Sequence, residues 1–170
     1  MLDKDFLAQF LQGSPDVLFR VTLRDQLKKV LPAGMDFPYD FGFVPSTKAD
    51  DGDPVDVLVL MDEPAFTGCV LKCRIIGIIE GEQGDKKDKE RNDRVVAIEK
   101  GNHSWAEIKH IDDLGKEFRR ELEEFFVNYH RQSGEKYSVI AVKGPAQAKS
   151  ILKKAGGRCA AHNRDWGCSA

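Results

Sequence analysis

Asp51, Asp53 and Asp56 lie within six residues, interleaved with Gly52 and Pro54, at the entrance to the apolar run Val55-Asp56-Val57-Leu58-Val59-Leu60. Burying a carboxylate without a partner costs several kcal/mol or forces it to take up a proton, so three of them at the mouth of a core strand require cations. Hard oxygen donors with no sulfur or imidazole beside them favour Mg²⁺, Mn²⁺ or Ca²⁺ over zinc. Gly52 lets the backbone turn sharply, and Pro54 fixes it before a ladder begins. A solvated Asp-Gly turn explains Asp51-Gly52 but not Asp56 within an apolar run. An EF-hand fails on its own rule: with Asp51 first, the sixth position needs glycine and holds Asp56, and Pro54 spoils the loop.

The other ligand-bearing residues carry weaker patterns. Cys159, His162 and Cys168 form Cys-x2-His-x5-Cys, which offers three ligands to zinc, but in an otherwise unpatterned tail this spacing has little force. Cys69 and Cys73 stand four apart in an apolar segment that reads as a strand. Even spacing puts them on one face, too far apart for a disulfide, as buried thiols.

The elements that must position the acids follow from periodicity. Phe6, Leu7, Phe10 and Leu11 predict a short helix over residues 3–12, closed by Gly13-Ser14-Pro15. Residues 17–23 and 27–31 read as a hairpin around Arg24-Asp25-Gln26. From Pro32 to Pro45, Pro and Gly interrupt regular structure while Met35, Phe37, Tyr39, Phe41 and Phe43 demand burial, so an irregular segment is packed into the core. Residues 55–60 are too apolar for a half-exposed strand and are expected to be covered on both faces. Strands follow at 68–79 and 94–98, separated by a charged loop from Glu80 to Asn92. Leu114, Phe118, Leu122, Phe125, Phe126 and Tyr129 recur at three- and four-residue intervals and predict one long amphipathic helix ending near Gly134. A last strand over 136–142 and a closing helix over 145–155, with Pro145 in its first turn, complete the chain. Many short strands followed by few helices give an α+β class: a small closed or partly closed antiparallel β-barrel, OB-like, with helices packed outside.

Composition bounds the rest. The 170 residues suit a single domain spanning 1–170, and 41% apolar content excludes a disordered chain. No stretch approaches the roughly 20 apolar residues of a membrane span, and the start Met1-Leu2-Asp3-Lys4-Asp5 is acidic where a signal peptide is basic. A net charge of -2 removes the usual compositional support for nucleic-acid or membrane-surface binding. A cytoplasmic protein is expected.

Asp51-Gly52-Asp53-Pro54-Val55-Asp56-Val57 resembles the signature of the soluble, Mg²⁺-dependent (family I) inorganic pyrophosphatases, and Leu31-Pro32-Ala33-Gly34-Met35 through Phe43 resembles the segment before it. The likeness is strongest over 18–150; residues 1–14 and 156–170 find no counterpart. It implies hydrolysis of pyrophosphate to two phosphates, Mg²⁺ as cofactor with Mn²⁺ as substitute, and a homo-oligomer. Asp51 and Asp56 are then metal ligands, with Asp56 shared between two ions. Asp53, also beside the metal, orients or deprotonates the attacking water. Lys29, Arg94, Tyr129 and Lys136 are the implied phosphate-binding residues.

Departures from the family pattern fall on the substrate side. Lys29 stands for an arginine and keeps the charge without the bidentate fork. Phe37 and Phe41 replace two tyrosines and lose their hydroxyls. An upstream Lys-x-Glu pair has no glutamate counterpart near Arg20-Val21-Thr22. At Asn92-Asp93-Arg94, strand alternation puts Asn92 rather than Asp93 on the side of Arg94, and Asp93 serves as a ligand only with a bulge. Glu82, Asp85 and Asp88 lie in the same loop, diluted by Lys and Arg. His130 replaces a lysine and is cationic only below about pH 6.5 unless a phosphate raises its pKa. These changes leave as a rival a catalytically weakened pyrophosphatase that binds Mg²⁺ and phosphate; the fold class separately leaves a small barrel serving as an oligonucleotide- or protein-binding module.

Overall fold

A computed structural model describes the backbone over residues 18–23, 37–66, 68–84 and 88–165, and side chains over 37–66, 68–84 and 88–156. The expected helix over 3–12, the second hairpin strand over 27–31 and Lys29 lie outside these residues. The strands are β1 (Leu18–Leu23), β2 (Asp40–Phe43), β3 (Asp56–Leu60), β4 (Val70–Gln83), β5 (Glu90–Arg91), β6 (Arg94–Glu99) and β7 (Tyr137–Lys143). Two helices, α1 (Lys116–Gln132) and α2 (Pro145–Asp165), and a 3-10 turn at Ile111–Leu114 complete an α+β architecture.

The seven strands form one sheet in the order β1-β2-β3-β6-β4-β5, with β7 on β4 and β1 pairing with β4 as well as β2. One pairing departs from the antiparallel expectation. β6 enters between β3 and β4 and runs parallel to β3, Asp56 opposite Arg94. The chain makes a long excursion through β4 before β6, which is the length of connection parallel neighbours require.

β3 is buried on both sides, as its composition predicts. Val57 and Val59 pack with Cys73, Ile75, Val95 and Ala97 against Ala148, Leu152 and Ala155 of α2. Leu58 and Leu60 point the other way and pack with Ile76, Val96 and Ile98 against Leu122 and Phe126 of α1. Alternation then sets the side chains of Asp56 and Arg94 on the α1 face, in line with Leu58 and Val96.

Several boundaries differ from the sequence expectation. β4 extends through Glu80–Gln83, because β5 and β7 both pair with that charged end. Part of the irregular segment, Asp40–Phe43, is a strand between β1 and β3. The closing helix runs to Asp165, past Gly156-Gly157. Each glycine costs a helix only about 1 kcal/mol, and Ala148, Leu152 and Ala155 already anchor the apolar face of α2. Cys159 and His162 therefore lie within α2, while Cys168 falls outside the described residues. Cys73 is a buried free thiol, its pKa pushed up chiefly by burial, and Cys69 is half-buried and free.

α1 ends as predicted. Ser133 caps it, and Gly134, at φ 77°, takes the left-handed conformation that reverses the chain.

Candidate active site

The acidic turn is built by backbone and short side chains. Gly52 has φ 87°, the Asp53 amide donates to Asp51 Oδ1 at 2.9 Å, and the Ala49 amide donates to the Asp53 carbonyl at 2.7 Å. Behind it, the buried Thr47 hydroxyl donates to the Val44 carbonyl at 2.6 Å and accepts from the Val55 amide at 2.9 Å. Thr47 thus ties the end of β2 to the start of β3 and fixes how the acids project. Its residue type gives no sequence signal for that duty.

Asp51 and Asp53 are exposed and Asp56 is half-buried. Asp51 and Asp56 line one depression together with Asp50, Arg91, Asn92 and Asp93; Asp53 sits on the turn outside its lining. Asp93 is held there by the Gly81 amide, which donates to Oδ1 at 3.1 Å, and by Arg91 at 2.8 Å. Burial works against the Arg91 cation, but the hydrogen bond and charge of Asp93, aided by Glu80, outweigh it and hold Arg91 more firmly protonated than usual. On the α2 side Glu80 accepts from Gln147 at 2.8 Å.

Among the described residues no three His, Cys, Asp or Glu side chains converge closely enough to cage an ion. That arrangement still fits Mg²⁺, which keeps several waters and is held by one or two carboxylates together with substrate phosphates rather than by an all-protein cage. The donors in the depression are hard oxygens, with no thiolate or imidazole among them.

Arg94 occupies a different setting. It is 4% exposed, with its guanidinium 4.5 Å from the Phe126 ring centroid and 4.9 Å from that of Tyr137. Nη1 donates to the Asn92 carbonyl at 3.1 Å, Nη2 lies 3.1 Å from His130 Nε2, and Nε is buried without a hydrogen-bond partner. The Tyr137 hydroxyl also donates to the Asn92 carbonyl, at 3.3 Å; burial pushes its pKa up against the opposing charge of Arg94. The Asn92 side chain donates to Gln83 Oε1. Asn92 and Arg94 thus share the α1 side and Asp93 faces the α2 side, as strand alternation predicts.

His130 is 3% exposed, and its Nδ1 lies 3.0 Å from Glu135 Oε2. Its ring stacks on Tyr137 at 4.6 Å and meets Tyr129 edge-on at 5.0 Å. Tyr129 is half-buried, 5.8 Å from Phe37 and stacked with Phe125, while Phe37 stacks on Phe41 at 4.9 Å. The two phenylalanines therefore fill an aromatic cluster between β2 and α1. Lys136 is exposed immediately before β7. At the charged end of β4 Glu82 is paired with Lys89 at 2.8 Å, and Asp88, beyond it, is exposed; Asp85 lies outside the described residues. Glu135 had no sequence signal: its contact with His130 depends on the reversal at Gly134.

Among the described residues no helix is long and apolar enough to cross a membrane.

Comparison with known proteins gives one consistent result. The family model for Pyrophosphatase, described as inorganic pyrophosphatase, matches residues 22–160. An inorganic pyrophosphatase from Nostoc sp. is 34% identical over 126 residues, 74% of this chain and 72% of the relative. One from Synechocystis sp. is 39% identical over 103 residues, covering 61% and 59% of the two chains. The structure of the inorganic pyrophosphatase from Helicobacter pylori superimposes with a TM-score of 0.77 at 26% identity, over 86% of this chain and 95% of that one.

Proposed function

Because the chain belongs to the inorganic pyrophosphatase family, we propose that it hydrolyses inorganic pyrophosphate to two phosphates at the acidic turn and the adjoining face of β3 and β6. The observation that carries the reading is the placement of Asp51 and Asp56 in the lining of one depression, with Asp53 on the same turn. Asp51 and Asp56 would hold Mg²⁺, or Mn²⁺ in its place, with Asp53 on the same turn. When bound, the metal neutralises phosphate oxygens and makes a water easier to deprotonate.

The side chains supply position and proton transfer. Asp53, exposed on a turn fixed by its own amide, orients the attacking water and accepts its proton. Lys136 and Lys29 grip phosphate as point charges. Tyr129, with Phe37 and Phe125 against it, offers its hydroxyl to a substrate oxygen. Arg94 holds fixed positive charge beside Asp56, and its buried Nε–H has no hydrogen-bond partner. Transfer of a phosphoryl group needs mainly such positioning and charge neutralisation.

The finer architecture is a small, partly closed β-barrel, supported by β1 pairing with both β2 and β4. Other properties belong to the same proposal: a single domain over 1–170, a homo-oligomer and a cytoplasmic setting, the last supported by the free thiols Cys69 and Cys73. The weakened-enzyme and binding-module readings gain nothing from relatives that are named as pyrophosphatases.

Phosphorus NMR tests the reading. Two phosphates are expected per pyrophosphate consumed in millimolar Mg²⁺, and Asp51→Asn is expected to raise the Mg²⁺ concentration needed. Persistence of pyrophosphate, or an Asp51→Asn protein with an unchanged Mg²⁺ requirement, contradicts it.

A further inference from the structure

A guanidinium can only donate hydrogen bonds, and this constrains everything around Arg94. Its Nη2 lies 3.1 Å from His130 Nε2, so that ring nitrogen must be the acceptor and carry no proton. The imidazole proton then sits on Nδ1 and is donated to Glu135 Oε2, 3.0 Å away. An imidazolium in the same place would set N–H against N–H beside a second buried cation. His130 is therefore the neutral Nδ1–H tautomer, chosen by Glu135 on one side and Arg94 on the other.

The packing leaves the three groups little freedom. His130 lies face to face with Tyr137, and Arg94 sits over Tyr137 and Phe126. Glu135 reaches His130 because Gly134 reverses the chain in the left-handed conformation and the Glu135 amide donates to the His130 carbonyl at 2.9 Å. Among the described residues, the Arg94 nitrogens hydrogen-bond to the His130 ring and the Asn92 carbonyl and to no carboxylate. The nearest carboxylate along this chain of contacts, Glu135, acts through the imidazole.

We propose that His130 and Glu135 are positioning residues: they fix the guanidinium of Arg94 through its Nη2 with a neutral acceptor, so that no carboxylate is bonded to it and its charge acts on a phosphate anion held beside Asp56. This rests on the pyrophosphatase reading above for the identity of the anion. A carboxylate in the place of His130 would pin Arg94 equally well but cancel the charge a phosphate needs. A neutral acceptor pins it and keeps the charge.

The test compares wild type with His130→Gln, His130→Ala, His130→Lys and Glu135→Ala. A glutamine amide can both accept from Arg94 and donate to Glu135, so His130→Gln is expected to stay within about threefold of wild type in KM for pyrophosphate with Mg²⁺. His130→Ala and His130→Lys are expected to raise KM about tenfold or more, the size of one hydrogen bond to a charged group, with kcat changed less. Glu135 is half exposed, so Glu135→Ala folds and is expected to raise KM about threefold. Long-range nitrogen–proton NMR should show His130 of wild type at pH 7 as the Nδ1–H tautomer. Calorimetry with methylenediphosphonate, which cannot be hydrolysed at its bridge, should show the same ranking as KM. Equal KM and equal analogue affinity in folded His130→Ala, or an Nε2–H tautomer or imidazolium in wild type, overturns the inference. Wild type that binds the analogue but releases no phosphate overturns the hydrolysis reading alone, and the affinities of the variants then decide the positioning role.

Discussion

The acidic turn and the cationic pocket make opposite uses of the same fold. Asp51 and Asp53 are exposed on a turn closed within five residues, from Ala49 to Asp53. Arg94 and His130 are buried, and their setting draws on β6, α1, the reversal at Gly134, and Tyr137 of β7. Carboxylates can wait in water, since a hydrated metal ion loses little by meeting them there. A guanidinium held among aromatic rings gives up hydration in advance and is fixed before any anion arrives. One half of the proposed site is therefore set by local turn geometry, and the other by packing between distant elements.

That difference predicts which substitutions separate chemistry from stability. The largest effect is expected at Asp53. Asp53→Asn should lower kcat by roughly a hundredfold or more, the usual range for a positioned base, while its melting temperature stays near that of wild type because the side chain is exposed. Steady-state kinetics with a thermal melt on the same sample checks both. Arg94→Ala should instead lose activity and stability together, roughly 2–4 kcal/mol of the latter, since it empties a buried site and removes two cation–π contacts. A denaturant titration reads this directly, and an Arg94→Ala protein as stable as wild type breaks the comparison.

Smaller effects sharpen it. Tyr137→Phe should cost about 1 kcal/mol at pH 7, because the Asn92 carbonyl keeps Arg94 as a donor. Burial raises the folded-state pKa of Tyr137 above its unfolded value. The stability this group contributes is therefore fully present below about pH 10 and is lost as pH climbs through the raised value. Urea midpoints of wild type should fall more than those of Tyr137→Phe between pH 9 and the alkaline limit; parallel curves would contradict the assignment. Lys136→Ala should have the smallest effect, an increase in KM of about twofold to fivefold with no change in melting temperature, as expected of one exposed, solvent-screened cation.

The same contrast explains what was legible in the sequence. The acidic turn is written in consecutive residues, so the sharp turn at Gly52, the stop at Pro54 and the oddity of Asp56 in an apolar run all point to it. β3, α1 and the buried aromatic segment were legible for the same reason, being defined by local periodicity. Arg94 was placed on the correct strand, and alternation correctly separated it from Asp93. Its burial was not legible, because that depends on Phe126, Tyr137 and His130 arriving from 32 or more residues away. The charged end of β4 looked like loop because nothing local announces that β5 and β7 will both pair with it. Glu135 resembled an ordinary surface acid until the reversal at Gly134 turned it back onto His130.

The central claim is that the acidic turn performs metal-dependent hydrolysis of pyrophosphate. The most direct measurement is the rate of phosphate release from pyrophosphate by the purified chain as Mg²⁺ is titrated from zero, with a chelator added at the end. The account predicts no release without Mg²⁺, a saturable rise into the millimolar range, and loss on chelation. Release that is independent of Mg²⁺, or no release at any Mg²⁺ concentration from a folded protein, contradicts it.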